Sequence, residues 1–222
     1  MDFAQARKNM VVSQINPQSV TDRALLDALS EIPRERFVPA AQRDIAYMDK
    51  EICLGISATD GCERRMMMPV VFARLVDLAQ IRPSDLVLVI GCATGYSAAV
   101  IAKLADSVVA LENNKALAAQ ANETLVDLGI DNAAVVSGAL NEGYKSEAPY
   151  DVIFLDGSVG RIENTLIDQL NDGGRLVAIV SQGRAGKAHL VLKKGDVASD
   201  RIDFDATAPA LPGFQKPEVF SF

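Results

Sequence analysis

The chain lacks tryptophan, has one histidine and three cysteines, and draws only 5% of its 222 residues from aromatics. One histidine, His189, cannot build a metal cluster, and no metal site is expected. Cys53, Cys62 and Cys92 are scattered, in a spacing that suits neither a disulfide framework nor a zinc site. No apolar run approaches the 18 or so residues of a membrane span. The opening Met1-Asp2-Phe3-Ala4-Gln5 is polar and lacks a basic-then-apolar signal pattern, so a cytoplasmic protein is expected. Positive charge is also short: the net charge is −7, which argues against general binding to nucleic acid or anionic lipid. Repeats and low-complexity segments are absent. What remains is an ordinary globular composition, 49% apolar and 23% charged, with length for one large α/β domain.

The informative stretch is Val87-Leu88-Val89-Ile90-Gly91-Cys92-Ala93-Thr94-Gly95-Tyr96. Four aliphatic residues in a row read as a buried parallel strand. The chain then turns on Gly91 and Gly95 and enters a helical run from Ser97 to Leu104. A strand, a glycine turn and a helix open a nucleotide-binding βαβ unit, in which the turn lets backbone approach a ligand and the helix presents free N–H groups. The next strand, Val108 to Leu111, ends at Glu112, 21 residues after Gly91. A carboxylate there can accept from both hydroxyls of a ribose. A dinucleotide wants G-x-G-x-x-G; here Ala93 takes the middle glycine and Ser97-Ala98 the last. S-adenosylmethionine, which carries no phosphate, demands less of the turn and is preferred to NAD. A purely structural turn is the third reading.

Upstream, Phe3 to Gln14 and Thr21 to Ile32 read as helices, Pro33 to Pro39 as a proline-bracketed segment extended in part, and Ala40 to Tyr47 as a short helix. These form a helical cap beside the ligand. Glu51 to Met68 reads as irregular, and Pro69 as the first residue of a helix reaching Ala79. Downstream, helices over 115–128 and 162–170 alternate with strands over 134–136, 151–155 and 176–180. Such alternation requires a parallel sheet. His189 to Leu192 and Arg201 to Phe204 lie either side of Lys194-Gly195-Asp196 with no helix between them, an antiparallel pair at a sheet edge. The expected fold is therefore Rossmann-like α/β of the class I methyltransferase type: a mostly parallel sheet, an antiparallel edge hairpin and an N-terminal cap. The expected division is 1–68 for cap and substrate loop and 69–222 for the methyltransferase domain and tail, in one compact unit. The tail, Ala206 to Phe222, is expected to dock its aromatics on the body.

With these residues in view the chain resembles the protein-L-isoaspartate O-methyltransferases from Met10 to about Val180. Ile32-Pro33-Arg34-Glu35-Arg36-Phe37-Val38-Pro39 with Ala46-Tyr47 carries the specific part of the likeness. Met10 to Ile15, Ala148-Pro149-Tyr150-Asp151 and Gly173-Gly174-Arg175-Leu176 follow the same pattern. The resemblance implies an S-adenosylmethionine-dependent enzyme that esterifies isoaspartyl carboxylates of protein or peptide substrates. It implies cofactor contacts from Gly91, Cys92, Ala93, Thr94 and Gly95, from Glu112 and Asn113, and from Ala139 with Leu140. Three departures stand out. The family's glycine-glutamine-threonine-isoleucine-serine loop before Pro69 has Arg65, Met66 and Met67 in place of threonine, isoleucine and serine. The acid expected at 89 is valine, and the acid expected at 139 is alanine. The two lost acids together weaken donor binding by roughly 2–4 kcal/mol, on the order of 30- to 1000-fold.

Asp156 departs from the family in the other direction, by adding a carboxylate. It can serve as a base or hold an amine or metal; equally, Asp156-Gly157 can be a simple turn. Arg64-Arg65 can hold a substrate carboxylate, although solvated arginines are the plainer expectation. Met66 to Met68 reads first as filler beneath the cap. The expected activity is methyl transfer, reduced or altered. A non-catalytic binding protein on the same fold, or a methyltransferase for another acceptor, are the alternatives.

Overall fold

The computed structural model describes residues 1–57, 63–181 and 185–214. Cys62 and the tail phenylalanines 220 and 222 lie outside them. A seven-stranded sheet forms the centre. Its strands are β3 (Leu86–Ile90), β4 (Ser107–Glu112), β5 (Ala133–Ser137), β6 (Tyr150–Val159), β7 (Leu170–Ser181), β8 (Gly186–Lys194) and β9 (Val197–Asp205). Their order is β5-β4-β3-β6-β7-β8-β9. The first five are parallel, and β8 and β9 join antiparallel, as the helix-free end of the sequence requires. The order reverses beside β3, so its C-terminal end opens on the crevice where ligands of such sheets bind.

Continuous apolar runs bury both faces of these strands. Val87, Val89, Val108, Ala110, Val152 and Phe154 point to one side; Leu88, Ile90, Val109, Leu111, Ile153 and Leu155 point to the other. On the first side pack α3 (Pro69–Ala79) and α4 (Tyr96–Ala102), together with the cap helices α1 (Phe3–Met10) and α2 (Arg23–Glu31). One core therefore runs from Met10 to Leu190, through cap and sheet alike. Asp22 caps α2 by accepting from the N–H groups of Ala24 and Leu25. On the same sequence logic Asn114 caps α5 (Lys115–Asp127).

The second side has little helix. The helix expected over 162–170 shrinks to α6 (Asn164–Ile167), one turn, because β7 already begins at Leu170. The C-terminal tail covers the gap. Ser158 N–H donates to Pro209 O at 2.7 Å, Leu211 N–H donates to Ser158 O at 2.8 Å, and Leu211 and Phe214 are buried. The tail thus does what a helix does in the opposite layer: it removes apolar sheet surface from water.

Glu51 to Met68 is corrected. It holds an antiparallel pair, β1 (Ile52–Ser57) and β2 (Glu63–Met66), with Ile52 opposite Met66. Ile52 and Leu54 are buried alternately with half-buried Cys53, the period of two that marks a strand. Glycines and charges in the segment mask that alternation in the sequence.

Candidate active site

The loop Gly91 to Gly95 leaves β3 at the centre of the sheet. Gly91 and Gly95 have φ of +79° and +96°, and Ala93, standing where dinucleotide folds have glycine, is also left-handed at +49°. Gly91 N–H and Cys92 N–H donate to Leu111 O, and Gly95 N–H donates to Cys92 O, so the loop is stitched to β4. A Cβ at Gly95 would lie 3.1 Å from Ala121 Cβ on α5. Gly95→Ala is expected to cost about 1–3 kcal/mol from backbone strain and this crowding, read as a lowered urea midpoint.

The cap reaches the loop directly. Thr94 Oγ1 donates to Phe37 O at 2.6 Å. Arg34, fully buried, donates to Ala46 O and Met67 O and lies over the Tyr96 ring, 4.7 Å from its centroid. The proline-arginine segment therefore fastens cap, substrate loop and glycine loop to one another.

Glu112, at the end of β4, has no exposed surface and accepts four hydrogen bonds. Oε1 takes the N–H groups of Asn113 and Asn114, each at 3.0 Å. Oε2 takes Ala93 N–H and Arg64 Nη2, each at 2.8 Å. Arg64 Nη2 also donates to Gly91 O at 3.1 Å. Exposed arginines at 64 and 65 were the plainer expectation; Arg64 is instead 3% exposed, carried in by β2. A carboxylate offers about four acceptor positions. All four are filled in this arrangement, so a ribose hydroxyl on Glu112 would take the place of one of these donors.

Ala139 lies close by, since Glu112 is paired with Ser137 across β4 and β5 and Gly138 N–H donates to Glu112 O at 3.2 Å. Leu140 is buried next to Gly91. Cys92 to Gly95, Glu112, Asn113, Ala139 and Leu140 thus gather at one end of the sheet. Val89 does not join them: it is fully buried in the core, where an introduced acid would meet apolar neighbours. The Leu211 side chain also reaches the loop, and a Cβ on Gly91 would meet Leu211 Cδ2 at 2.5 Å. The sequence gives no signal for this contact, because the tail is 120 residues away.

Asp156 is not in a turn. β6 continues through it to Val159, with a pairing irregularity between Phe154 and Ser158. Burial pushes its carboxyl up from the ordinary 3.8 to about 6; the Ser97 hydroxyl, Arg64 and Arg34 pull the other way, and Glu112 adds to the rise. Burial likewise raises the Cys92 thiol well above its usual range, keeping it neutral and unreactive. Met66 and Met67 are buried as packing, and Met68 leads into α3. Among the described residues no group of three metal-ligating side chains occurs, and no helix is long and apolar enough to cross a membrane.

The family model for protein-L-isoaspartate(D-aspartate) O-methyltransferase matches residues 5–206. A protein-L-isoaspartate O-methyltransferase of Koribacter versatilis is 35% identical over 202 residues, covering 90% of this chain and 88% of that protein. One from Rhodopseudomonas palustris is 34% identical, covering 95% and 83%. A solved protein-L-isoaspartate O-methyltransferase superposes with a TM-score of 0.81 at 25% identity, over 93% of this chain, which spans 66% of that structure's length. A Plasmodium falciparum structure in complex with S-adenosyl-L-homocysteine superposes with a TM-score of 0.73 at 18% identity, a likeness of fold. The parallel sheet with its antiparallel edge is thus the class I methyltransferase fold. By sequence and by fold, this chain belongs to the protein-L-isoaspartate(D-aspartate) O-methyltransferase family.

Proposed function

We propose that this chain is an S-adenosylmethionine-dependent methyltransferase acting on a carboxylate of a protein or peptide, the isoaspartyl group in the first instance, with activity well below that of relatives carrying the usual loop. The observation that carries the reading is the Gly91–Gly95 turn at the C-terminal end of β3 facing Glu112 at the end of the adjacent parallel strand. Family membership supports the donor and the class of acceptor. Residues 1–68 serve as cap and substrate loop, and 69–222 hold the donor. Gly91, Cys92, Ala93, Thr94, Gly95, Glu112, Asn113, Ala139 and Leu140 are the proposed donor contacts. The proposed compartment is the cytoplasm, in keeping with the free thiol of buried Cys92.

Reduced activity is argued from the loop. A carboxylate that accepts a methyl group must be held about 3–3.5 Å from it and aligned. Met66 and Met67 are turned into the core and offer no hydroxyl donor. Arg65 can supply a guanidinium for the carboxylate, yet a strong ground-state ion pair does not by itself lower the barrier.

The test is transfer of labelled methyl from S-adenosylmethionine to an isoaspartyl peptide, with the aspartyl peptide as control. Low but isoaspartyl-specific transfer is expected. Turnover equal to a relative with the threonine-isoleucine-serine loop would show that positions 65–67 do not limit the reaction. The buried Met66 and Met67, which offer the acceptor no hydroxyl, favour one second reading, a binding protein that has kept the fold without the reaction. Donor binding with no transfer to any protein acceptor would select it.

A further inference from the structure

From Val152 to Val159 β6 is buried except at Asp156, which keeps part of its surface in solvent. Ile90 pairs with Leu155 across β3 and β6, so Asp156 lies at the level where Gly91 starts the glycine loop. Glu112 stands at the end of β4, on the other flank of β3. The two residues therefore lie on either side of the loop, two strand spacings or about 10 Å apart. They differ in what meets them. Glu112 accepts from four donors. The Asp156 carboxylate has no hydrogen bond or ion pair among the described residues. Arg64 is engaged with Glu112 and Gly91 O, and Arg34 with Ala46 O and Met67 O. The second nitrogen of each fork, Nη1, is buried without a partner and does not reach Asp156. The Ser97 hydroxyl, in the first turn of α4, approaches the carboxylate without closing a hydrogen bond. A carboxylate drawn from water and given no bonded partner is unfavourable, and its titration, raised to about 6, shows it. At neutral pH it is still ionised, and what completes it is a cation.

The chemistry of the site narrows that cation. A metal ion needs further ligands, and no group of three occurs among the described residues. Asp156 has no work as a base, because an acceptor carboxylate is already ionised at neutral pH. Beside that acceptor a second negative charge is repulsive. The donor is the opposite case. S-adenosylmethionine carries a sulfonium and an α-ammonium group on the arm that leads away from its ribose. With the ribose at Glu112 and the adenine toward Ala139 and Leu140, on the β5 flank, that arm runs across the glycine loop to the β6 flank. We propose that Asp156 is the anchor for the α-ammonium group of the donor, fixing the methionyl arm at the end of β6 as Glu112 fixes the ribose at the end of β4. The inference rests on the donor-binding reading above and adds a contact to it. An ammonium group brings three N–H donors and a full charge, so its hydrogen bond to a carboxylate is of the strong, charge-assisted kind. With both ends of the donor held, the methyl group between them is held too, as aligned transfer requires.

The probes are S-adenosylhomocysteine, which carries the ammonium group, and 5′-methylthioadenosine, which has the same adenosine and thioether without it. Both are titrated calorimetrically into the full chain and into Asp156→Asn, a variant expected to fold because it removes an unpaired charge from a partly buried place. Asp156→Asn is expected to bind S-adenosylhomocysteine about 10- to 100-fold more weakly than wild type, and methylthioadenosine equally well. Unchanged affinity for S-adenosylhomocysteine overturns the anchor. An equal loss for both ligands overturns it too, since that marks a residue that only shapes the pocket; the donor-site reading then stands alone. Asp156→Glu, which keeps the charge, is expected to bind S-adenosylhomocysteine more tightly than Asp156→Asn. Equal affinity in those two variants overturns the anchor even where methylthioadenosine binds too weakly to titrate. If wild type binds neither ligand at millimolar concentration, the donor-site reading itself is wrong, and the anchor falls with it.

Discussion

Glu112→Ala should lower the stability of the protein by about 3–5 kcal/mol. Two losses combine. The Arg64 guanidinium, 3% exposed, is left buried without a counter-charge. The N–H groups of Ala93, Asn113 and Asn114 lose their shared acceptor. An ion pair replaced as a whole by apolar side chains is often neutral, whereas removing one partner is costly. Arg64→Met in the Glu112→Ala background is therefore expected to recover part of the loss. It cannot recover all, because the three backbone donors stay unsatisfied. Glu112→Gln should fall between, since an amide has one oxygen for four donors. Urea denaturation at pH 7 of wild type, Glu112→Gln, Glu112→Ala, Arg64→Met and the Arg64→Met, Glu112→Ala double variant measures these differences, and a coupling between positions 64 and 112 near zero would show that the pair does not form in solution.

Asp156→Asn should stabilise the protein above pH 6 and leave it almost unchanged near pH 4. Burial raises the folded-state carboxyl from the ordinary 3.8 to about 6. Between those values the folded chain holds a proton that the unfolded chain has released, so stability falls as pH rises through the window. At about 1.4 kcal/mol per pH unit the penalty is roughly 3 kcal/mol, fully present above pH 6. Asparagine is uncharged at every pH and escapes it. Arg64 and Arg34, which favour the ionised form, are part of this balance. In Arg64→Gln the Asp156 carboxyl should therefore titrate higher still. The difference in urea midpoint between Asp156→Asn and wild type, followed from pH 4 to pH 8, gives the curve directly. A flat difference would mean that Asp156 titrates as an ordinary surface acid. The penalty is tolerated at the mouth of the site, where strained and perturbed groups concentrate.

Asp156 and Glu112 also show how far the sequence can be read. Glu112 was legible because its location follows from local rules alone: a strand, a glycine turn, a helix and a second parallel strand fix where its carboxylate must end. The five parallel strands, the antiparallel edge and Pro69 at a helix start were legible for the same reason, since periodicity and turns act over a few residues. The proline-arginine segment marked the family, though only its likeness to known chains gave it meaning.

The tertiary structure decided what no local rule contains. β1 and β2 are short strands whose alternation is interrupted by glycine and charge, and their pairing is fixed by contacts rather than by propensity. α6 is reduced to a turn because β7 begins at Leu170, and the tail covers that side of the sheet. Val89 was expected to matter as a missing acid, and instead lies in the core. Above all, Arg64 and Glu112 are 48 residues apart in sequence and form an ion pair of 2.8 Å. Leu211 meets Gly91 across a still longer stretch of chain. The sequence alone determined the parallel strands, the antiparallel edge and the glycine turn that faces Glu112, because hydrogen-bonding patterns and apolar periods are local. Which groups occupy that site was decided by packing, because burial and charge pairing join residues without regard to their separation along the chain.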